Sequence, residues 1–174
     1  MKGRKTGVRP AALGLCSCVL ILILAFSSQP YREQSIQPFL QRTLSAEQAK
    51  RVLPDVHIRY NGKTYSRETN PYGLIEFLFR KGAHLFLYGL FAVVTALALQ
   101  PYRKRTGAWS VAMLSLAAVL LVALLDEWNQ GRSSARTPAR EDVILDLAGG
   151  LLGLAVLSGI RHLFRRFPRN GTPS

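Results

Sequence analysis

Four long apolar runs constrain the fold of this chain more than any other feature of its sequence. They span residues 11–26, 83–99, 108–125 and 143–160, and each is 16 to 18 residues long. A helix of that length rises roughly 24–27 Å at about 1.5 Å per residue, so one flanking turn completes the ~30 Å of a bilayer core. Because a chain of 174 residues offers no soluble core that could hide four such helices, the runs predict an all-α membrane protein with four transmembrane helices.

The distribution of Lys and Arg indicates how these helices cross the membrane. The net charge of +13 could suggest a nucleic-acid partner, but the basic residues cluster at the ends of the apolar runs and form no reading motif, so we expect none. Three basic segments, 1–10, 100–107 and 161–174, contain no acidic residue. The positive-inside rule therefore places both termini and the 100–107 loop in the cytoplasm.

This orientation divides the chain into a basic N-terminus, a transmembrane domain and a basic tail. The first run is followed by no clear A-x-A cleavage site, so it predicts a retained helix rather than a signal peptide. We expect a multi-pass protein of the cell membrane that contacts the lipid bilayer. Its predicted parts are the cytoplasmic N-terminus 1–10, the domain 11–160 with outer loops 27–82 and 126–142, and the cytoplasmic tail 161–174.

The first outer loop contains two local folding signals. Ser45 and Gln48 have the spacing of a capping box, which predicts a short helix over 45–53 that ends before Pro54. The alternating segment 56–66 surrounds Asn61-Gly62 and predicts a β-hairpin with a type I′ turn. An isolated hairpin is marginal in water, so we expect it to pack on the membrane surface or on the bundle.

Polar residues mark the outer ends of the last three helices. Lys81, His84 and Tyr88 are spaced i, i+3, i+7, which places them on one face of the second helix. The outer ends of helices two, three and four lie at the same depth in the predicted topology. We therefore expect these polar residues to converge near the outer leaflet, together with those on the third and fourth helices, Asp126, Glu127, Gln130, Asp142 and Asp146.

Asp146 lies about one turn inside the fourth apolar run. A charged carboxylate at the centre of a membrane helix costs about 2.5–3.5 kcal/mol, so it should face the bundle and find a partner. Further along this helix, Gly149 and Gly153 have the G-x-x-x-G spacing that lets a second helix approach closely. The candidate partners for Asp146 are Lys81, His84, Arg132, Arg136 and Arg140.

The polar cluster has two principal interpretations. It can be an internal network of salt bridges and hydrogen bonds that fixes helix packing, or a polar pocket that opens to the outer leaflet and binds a ligand. A metal site is a third possibility, since Asp, Glu and His cluster. No spacing here is a metal signature such as H-E-x-x-H, however, so the sequence predicts neither a metal nor a cofactor.

The order and spacing of these residues resemble those of the VanZ-like family of small bacterial membrane proteins, from about residue 11 to 160. In that family a K-x-x-H-x-x-x-Y helix precedes D-E-x-x-Q, followed at fixed offsets by Arg, Asp, a polar residue and Gly. The segment "FSSQ" at 26–29 is also similar, whereas Ser134 and Ala135 replace the usual Pro-Gly. The matching positions are Lys81, His84, Tyr88, Asp126, Glu127, Gln130, Arg136, Asp142, Asp146, Gly149 and Gly153.

The resemblance implies a role at the cell envelope but neither a reaction nor a cofactor. Founding members of the family are linked to low-level antibiotic resistance against the glycopeptide teicoplanin. Our hypothesis is a non-enzymatic protein that binds the head group of an amphiphile, such as a lipid, a lipid-linked envelope precursor or a lipoglycopeptide. In this hypothesis Lys81 and Arg136 meet a phosphate or carboxylate, and the acids hold them in place.

Two alternatives stay open. The chain could be an intramembrane hydrolase acting on lipid-linked substrates, with Asp126 or Glu127 as base and His84 as acid or metal ligand. It could also be a structural or partner-binding membrane protein that uses the 27–82 loop as its docking surface. The sequence contains no nucleophile elbow that would favour the first of these alternatives.

The orientation can be tested with reporter fusions. A periplasm-active reporter inserted in the 126–142 loop is expected to be active, because the charge pattern places that loop outside, and the same reporter in the 100–107 loop is expected to be inactive. A cytosolic signal from the 126–142 fusion would contradict the predicted orientation.

Overall fold

The structure, a computed structural model, describes residues 10–29, 31–131 and 140–166. Its four long helices are α1 (Pro10–Ser28), α5 (Pro71–Ala98), α6 (Arg103–Gly131) and α7 (Arg140–Arg166). All four are long and apolar enough to cross a membrane, which confirms the predicted fold class. A 3₁₀ turn at Gln100–Tyr102 joins α5 to α6, and Gly107 interrupts the helical geometry of α6 with φ of 87°.

The segment between α1 and α5 folds into three short helices and a hairpin. The helices are α2 (Tyr31–Gln34), α3 (Gln37–Thr43) and α4 (Ala46–Val52). The capping box at the start of α4 is present as predicted, since the side chains of Ser45 and Gln48 exchange hydrogen bonds with each other's backbone N–H. The sequence predicted one short helix here, and the structure adds α2 and α3.

The hairpin consists of β1 (His57–Tyr60) and β2 (Lys63–Ser66), paired antiparallel. Asn61 and Gly62 form the turn with φ of 45° and 73°, and two positive φ angles are what a type I′ turn requires. The hairpin packs on α5 rather than standing alone, because Tyr65 stacks on Phe77 of α5 with ring centroids 4.3 Å apart. This contact supplies the apolar support that an isolated two-stranded ribbon lacks.

The long helices form one bundle. We call the end that carries β1 and β2 the hairpin end; α1 and α6 run toward it, and α5 and α7 run away from it. The apolar core lies between α1, α5 and α6 and includes Ile23, Phe91 and Val119. Large apolar side chains such as Ile21, Phe86 and Ile144 point outward, as expected for helices whose solvent is lipid.

Helix α5 packs most extensively against α7, and three glycines allow this contact. A Cβ at Gly153 would lie 2.4 Å from the carbonyl oxygen of Gly89, and a Cβ at Gly149 would lie 2.4 Å from that of Leu85. Any side chain at Gly149 or Gly153 would therefore collide with backbone, which cannot rotate away. The two backbones touch where the G-x-x-x-G spacing of α7 faces α5.

Substituting one of these glycines should separate α5 from α7. We expect Gly153→Ala to lower the stability of the purified protein by about 1–3 kcal/mol, because overpacking forces the backbone apart. Gly159→Ala, on the same helix, is the matched control, since a Cβ there meets nothing within 4 Å. Thermal unfolding in detergent measures both; equal stabilities for the two variants would contradict the close packing.

Candidate functional site

The polar residues of the last three helices meet at the hairpin end of the bundle. Each of the three polar residues that share one face of α5 contacts a different carboxylate. Lys81 donates to Asp142 of α7. One turn along, His84 Nδ1 lies 3.1 Å from Asp146 Oδ1 of α7, and at the next turn Tyr88 Oη donates to Asp126 Oδ2 of α6 over 3.3 Å.

The contact nearest the hairpin joins α5, α7 and β1. Asp142 accepts hydrogen bonds from both Lys81 and Tyr60, and the Lys81 ammonium lies 4.1 Å from the centroid of the Tyr60 ring. Burial, the hydrogen bond to Asp142 and the charges of Asp142, Glu141 and Glu127 raise the pKa of Tyr60 well above its ordinary value. Its phenol therefore stays protonated and keeps donating to the carboxylate.

The middle contact buries a carboxylate within the helix bundle. Asp146 is 1% exposed, and of the candidate partners that the sequence offered, the structure gives it His84. Its second oxygen, Oδ2, is buried and has no hydrogen-bond partner among the residues that the structure describes. A buried oxygen without a partner loses its water contacts without replacing them, which is unfavourable.

The innermost contact places a carboxylate in the next-to-last turn of α6, which ends at Gly131. Asp126 is 1% exposed, and its Oδ2 accepts from Tyr88 and, over 3.1 Å, from Gln130. The i, i+4 pair of Asp126 and Gln130 thus forms within one helix, in keeping with its spacing. Its Oδ1, like Oδ2 of Asp146, is buried without a hydrogen-bond partner in the described part of the chain.

A cavity of about 420 Å³ opens beside this cluster, between α1, α5, α6 and the segment that contains α2. Its polar wall includes Arg80, His84, Tyr88 and Asp126, and its apolar wall includes Ile23, Phe26 and Leu87. Along α5 the lining residues form two stripes at four-residue spacing, a polar one of Glu76, Arg80, His84 and Tyr88 and an apolar one of Phe79, Ala83 and Leu87. The cavity therefore combines an apolar part with a polar part.

Glu76 and Tyr60 are two residues of this region that were not predicted from the sequence, and Arg80 on the cavity wall is another. Glu76 is 2% exposed on α5, lines the cavity and accepts a hydrogen bond of 2.8 Å from Ser35. The sequence pattern that could have indicated Glu76 is its spacing of i, i+4, i+7, i+11 with Arg80, Ala83 and Leu87, which places all four on one face of α5. All four line the cavity. Tyr60, the second residue, lies on the hairpin, and no local pattern indicated its contact with Asp142.

The structure separates the predicted site residues into two groups. His84, Tyr88 and Asp126 lie on the cavity wall, whereas Lys81 and Asp142 contact each other and are not among its lining residues. Glu127 is half-buried beside Asp126, and Gln130 is buried behind it.

The remaining predicted residues lie away from the cavity or outside the described chain. Gly149 and Gly153 lie at the contact of α7 with α5. Arg136, with Arg132, Ser134 and Ala135, lies outside the described residues.

Four membrane-crossing helices with buried, paired carboxylates at one end define a multi-helix integral membrane protein with an intramembrane polar cluster. The comparison with protein families is more specific. The chain belongs to the VanZ/LLP1 family, whose model matches residues 12–164. A search of the curated proteins and a search of the solved structures each found no match.

The Lys81–Asp142 pair should contribute to stability through a coupling that a double-mutant cycle can measure. The two side chains are only 19% and 12% exposed, so either single variant, Lys81→Met or Asp142→Asn, leaves a poorly solvated charge behind. We expect the double variant to lose less stability than the two single losses combined, with a coupling energy of about 0.5–3 kcal/mol.

The exposed neighbour Glu141 provides the matched control for this cycle. Unfolding in detergent should give Glu141→Gln the stability of the parent protein, within about 0.5 kcal/mol. Additive losses for Lys81→Met and Asp142→Asn would show that the two residues do not interact.

Proposed function

We propose that this protein binds the polar head group of an amphiphile at the cell envelope, in the cavity between α1, α5 and α6. The observation that carries this proposal is the two-part wall of the cavity, apolar at Ile23, Phe26 and Leu87 and polar at Arg80, His84 and Glu76. Small-molecule sites are typically apolar clefts with a few placed polar groups. A ligand with a tail and a head group matches both parts of this wall.

Among the residues that the structure describes, Arg80 is the arginine on the cavity wall. A guanidinium can bind a phosphate or a carboxylate through two parallel hydrogen bonds, which suits an anionic head group. Lys81, which the sequence suggested for this role, holds Asp142 instead. In this proposal the head group contacts Arg80 near the hairpin end, and the Tyr88 hydroxyl and His84 lie deeper in the cavity.

The depth of the cavity in the bundle favours a ligand that arrives from the lipid. Its walls are the same helices that cross the membrane, and Leu87 and Ile23 lie within the apolar parts of α5 and α1. Lipid-linked envelope precursors and lipoglycopeptides share this chemistry, an acyl or prenyl chain joined to a polar head. With the predicted topology the cavity faces the outer leaflet, where both classes are found.

Filling the cavity should weaken ligand binding. Ala83 lies on the cavity wall, so we expect Ala83→Trp to weaken binding of a lipoglycopeptide to the nanodisc-reconstituted protein at least about tenfold, through lost burial and steric exclusion. Phe86→Trp, on the exposed face of the same helix, is the matched control and should bind as the parent does.

A matched pair of ligands, with and without an acyl chain, tests the role of the apolar wall. The same glycopeptide without its acyl chain should bind more weakly than the lipoglycopeptide, because it cannot occupy the apolar wall, and a lipid-linked wall precursor provides the second ligand class. Unchanged binding by Ala83→Trp, with its thermal unfolding intact, would contradict the proposal. Cleavage of the precursor by the parent protein would favour the hydrolase alternative.

A further inference from the structure

We propose that His84, Asp126 and Asp146 bind one divalent first-row metal ion, of the Zn²⁺ or Mn²⁺ class, at the wall of the cavity. The three side chains come from α5, α6 and α7, and one potential ligand atom of each lies within 4.8 Å of the others. Metal–ligand bonds of about 2.0–2.2 Å hold ligand atoms roughly 3–4 Å apart, so small side-chain movements would complete the site. The three helices supply one ligand each, and no two of these ligands come from one local motif.

The second observation is the pair of carboxylate oxygens without partners. Oδ1 of Asp126 and Oδ2 of Asp146 are buried, on residues that are each 1% exposed, and neither has a hydrogen-bond partner among the described residues. Two carboxylates this close repel each other, and the low dielectric of a bundle interior strengthens the repulsion. A divalent cation between them would remove the repulsion and supply both missing contacts.

The donors that surround these carboxylates are arranged like the outer shell of a metal site. Tyr88 and Gln130 both donate to Oδ2 of Asp126, which orients the carboxylate and leaves Oδ1 available. Such outer-shell bonds fix the direction of a ligating carboxylate and tune its affinity. The contact of His84 with Asp146 joins two of the proposed ligands and places the imidazole ring beside that acid.

The ligand set indicates the class of metal. An imidazole nitrogen suits borderline ions such as Zn²⁺, and two carboxylate oxygens suit harder ions such as Mn²⁺; neither ligand type favours soft ions that require thiolates. Three protein ligands leave at least one coordination position, as in catalytic rather than structural sites. His84 and Asp126 both line the cavity, so this position would face it.

Metal binding can be measured on the full chain, purified in detergent without a polyhistidine tag and treated with a chelator. Titration with Mn²⁺ alone, followed by the loss of the free-ion electron paramagnetic resonance signal, should show one ion per chain that Zn²⁺ displaces. Asp126→Asn and Asp146→Asn are each expected to weaken this binding by about tenfold or more. Glu141→Gln, an exposed acid on α7, and His162→Gln, an exposed histidine on the same helix, are the controls and should bind as the parent does.

A second measurement does not depend on whether the variants fold. Pulsed electron paramagnetic resonance of the Mn²⁺-loaded parent should show coupling to one histidine nitrogen. A stoichiometry well below one, the absence of nitrogen coupling, or equal weakening by Glu141→Gln would overturn the proposal. Failure of the amphiphile experiment would leave it intact, because the metal is added here without any head group.

Discussion

The need to partner buried carboxylates governs the arrangement of this helix bundle. Asp126, Asp142 and Asp146 lie between helices, where an unpaired charge is costly. Their partners on α5 are Lys81, His84 and Tyr88, which are spaced three and four residues apart and therefore lie in a row along one face of that helix. This row sets the positions of α6 and α7 along α5. The hydrogen bond from Tyr60 to Asp142 also ties the hairpin to α7.

These hydrogen bonds depend on a close approach of α5 to α7. Aspartate has a short side chain, and Asp146 reaches His84 because the two backbones touch one and two turns further along, at Gly149 and Gly153. A larger residue at either glycine would move Asp142 and Asp146 away from their donors together. The glycines and the acids of α7 therefore act together: the glycines set the distance between α5 and α7, and the carboxylates fix the register of α7 along α5.

Features that are local in the sequence could be predicted, and features that depend on which helices face each other could not. The lengths of the apolar runs predicted the four helices, and Asn61-Gly62 predicted the hairpin turn. Glu76 was missed because its neighbours across the cavity come from α1 and the Ser35 region, which no periodicity connects to α5. The three proposed metal ligands share no motif for the same reason.

The polar residues on the two faces of α5 have different partners. Toward α7, Lys81 is held by Asp142 and Tyr60, so its charge serves the fold. Toward the cavity, Glu76, Asp126 and His84 accompany a single described guanidinium, that of Arg80, and the wall of the described chain is rich in acid. The acids on this wall oppose the attraction that Arg80 offers to an anionic head group. A divalent cation at His84, Asp126 and Asp146 would neutralise the charges of the two aspartates, which makes the proposed metal site and the proposed head-group site compatible in charge as well as in position.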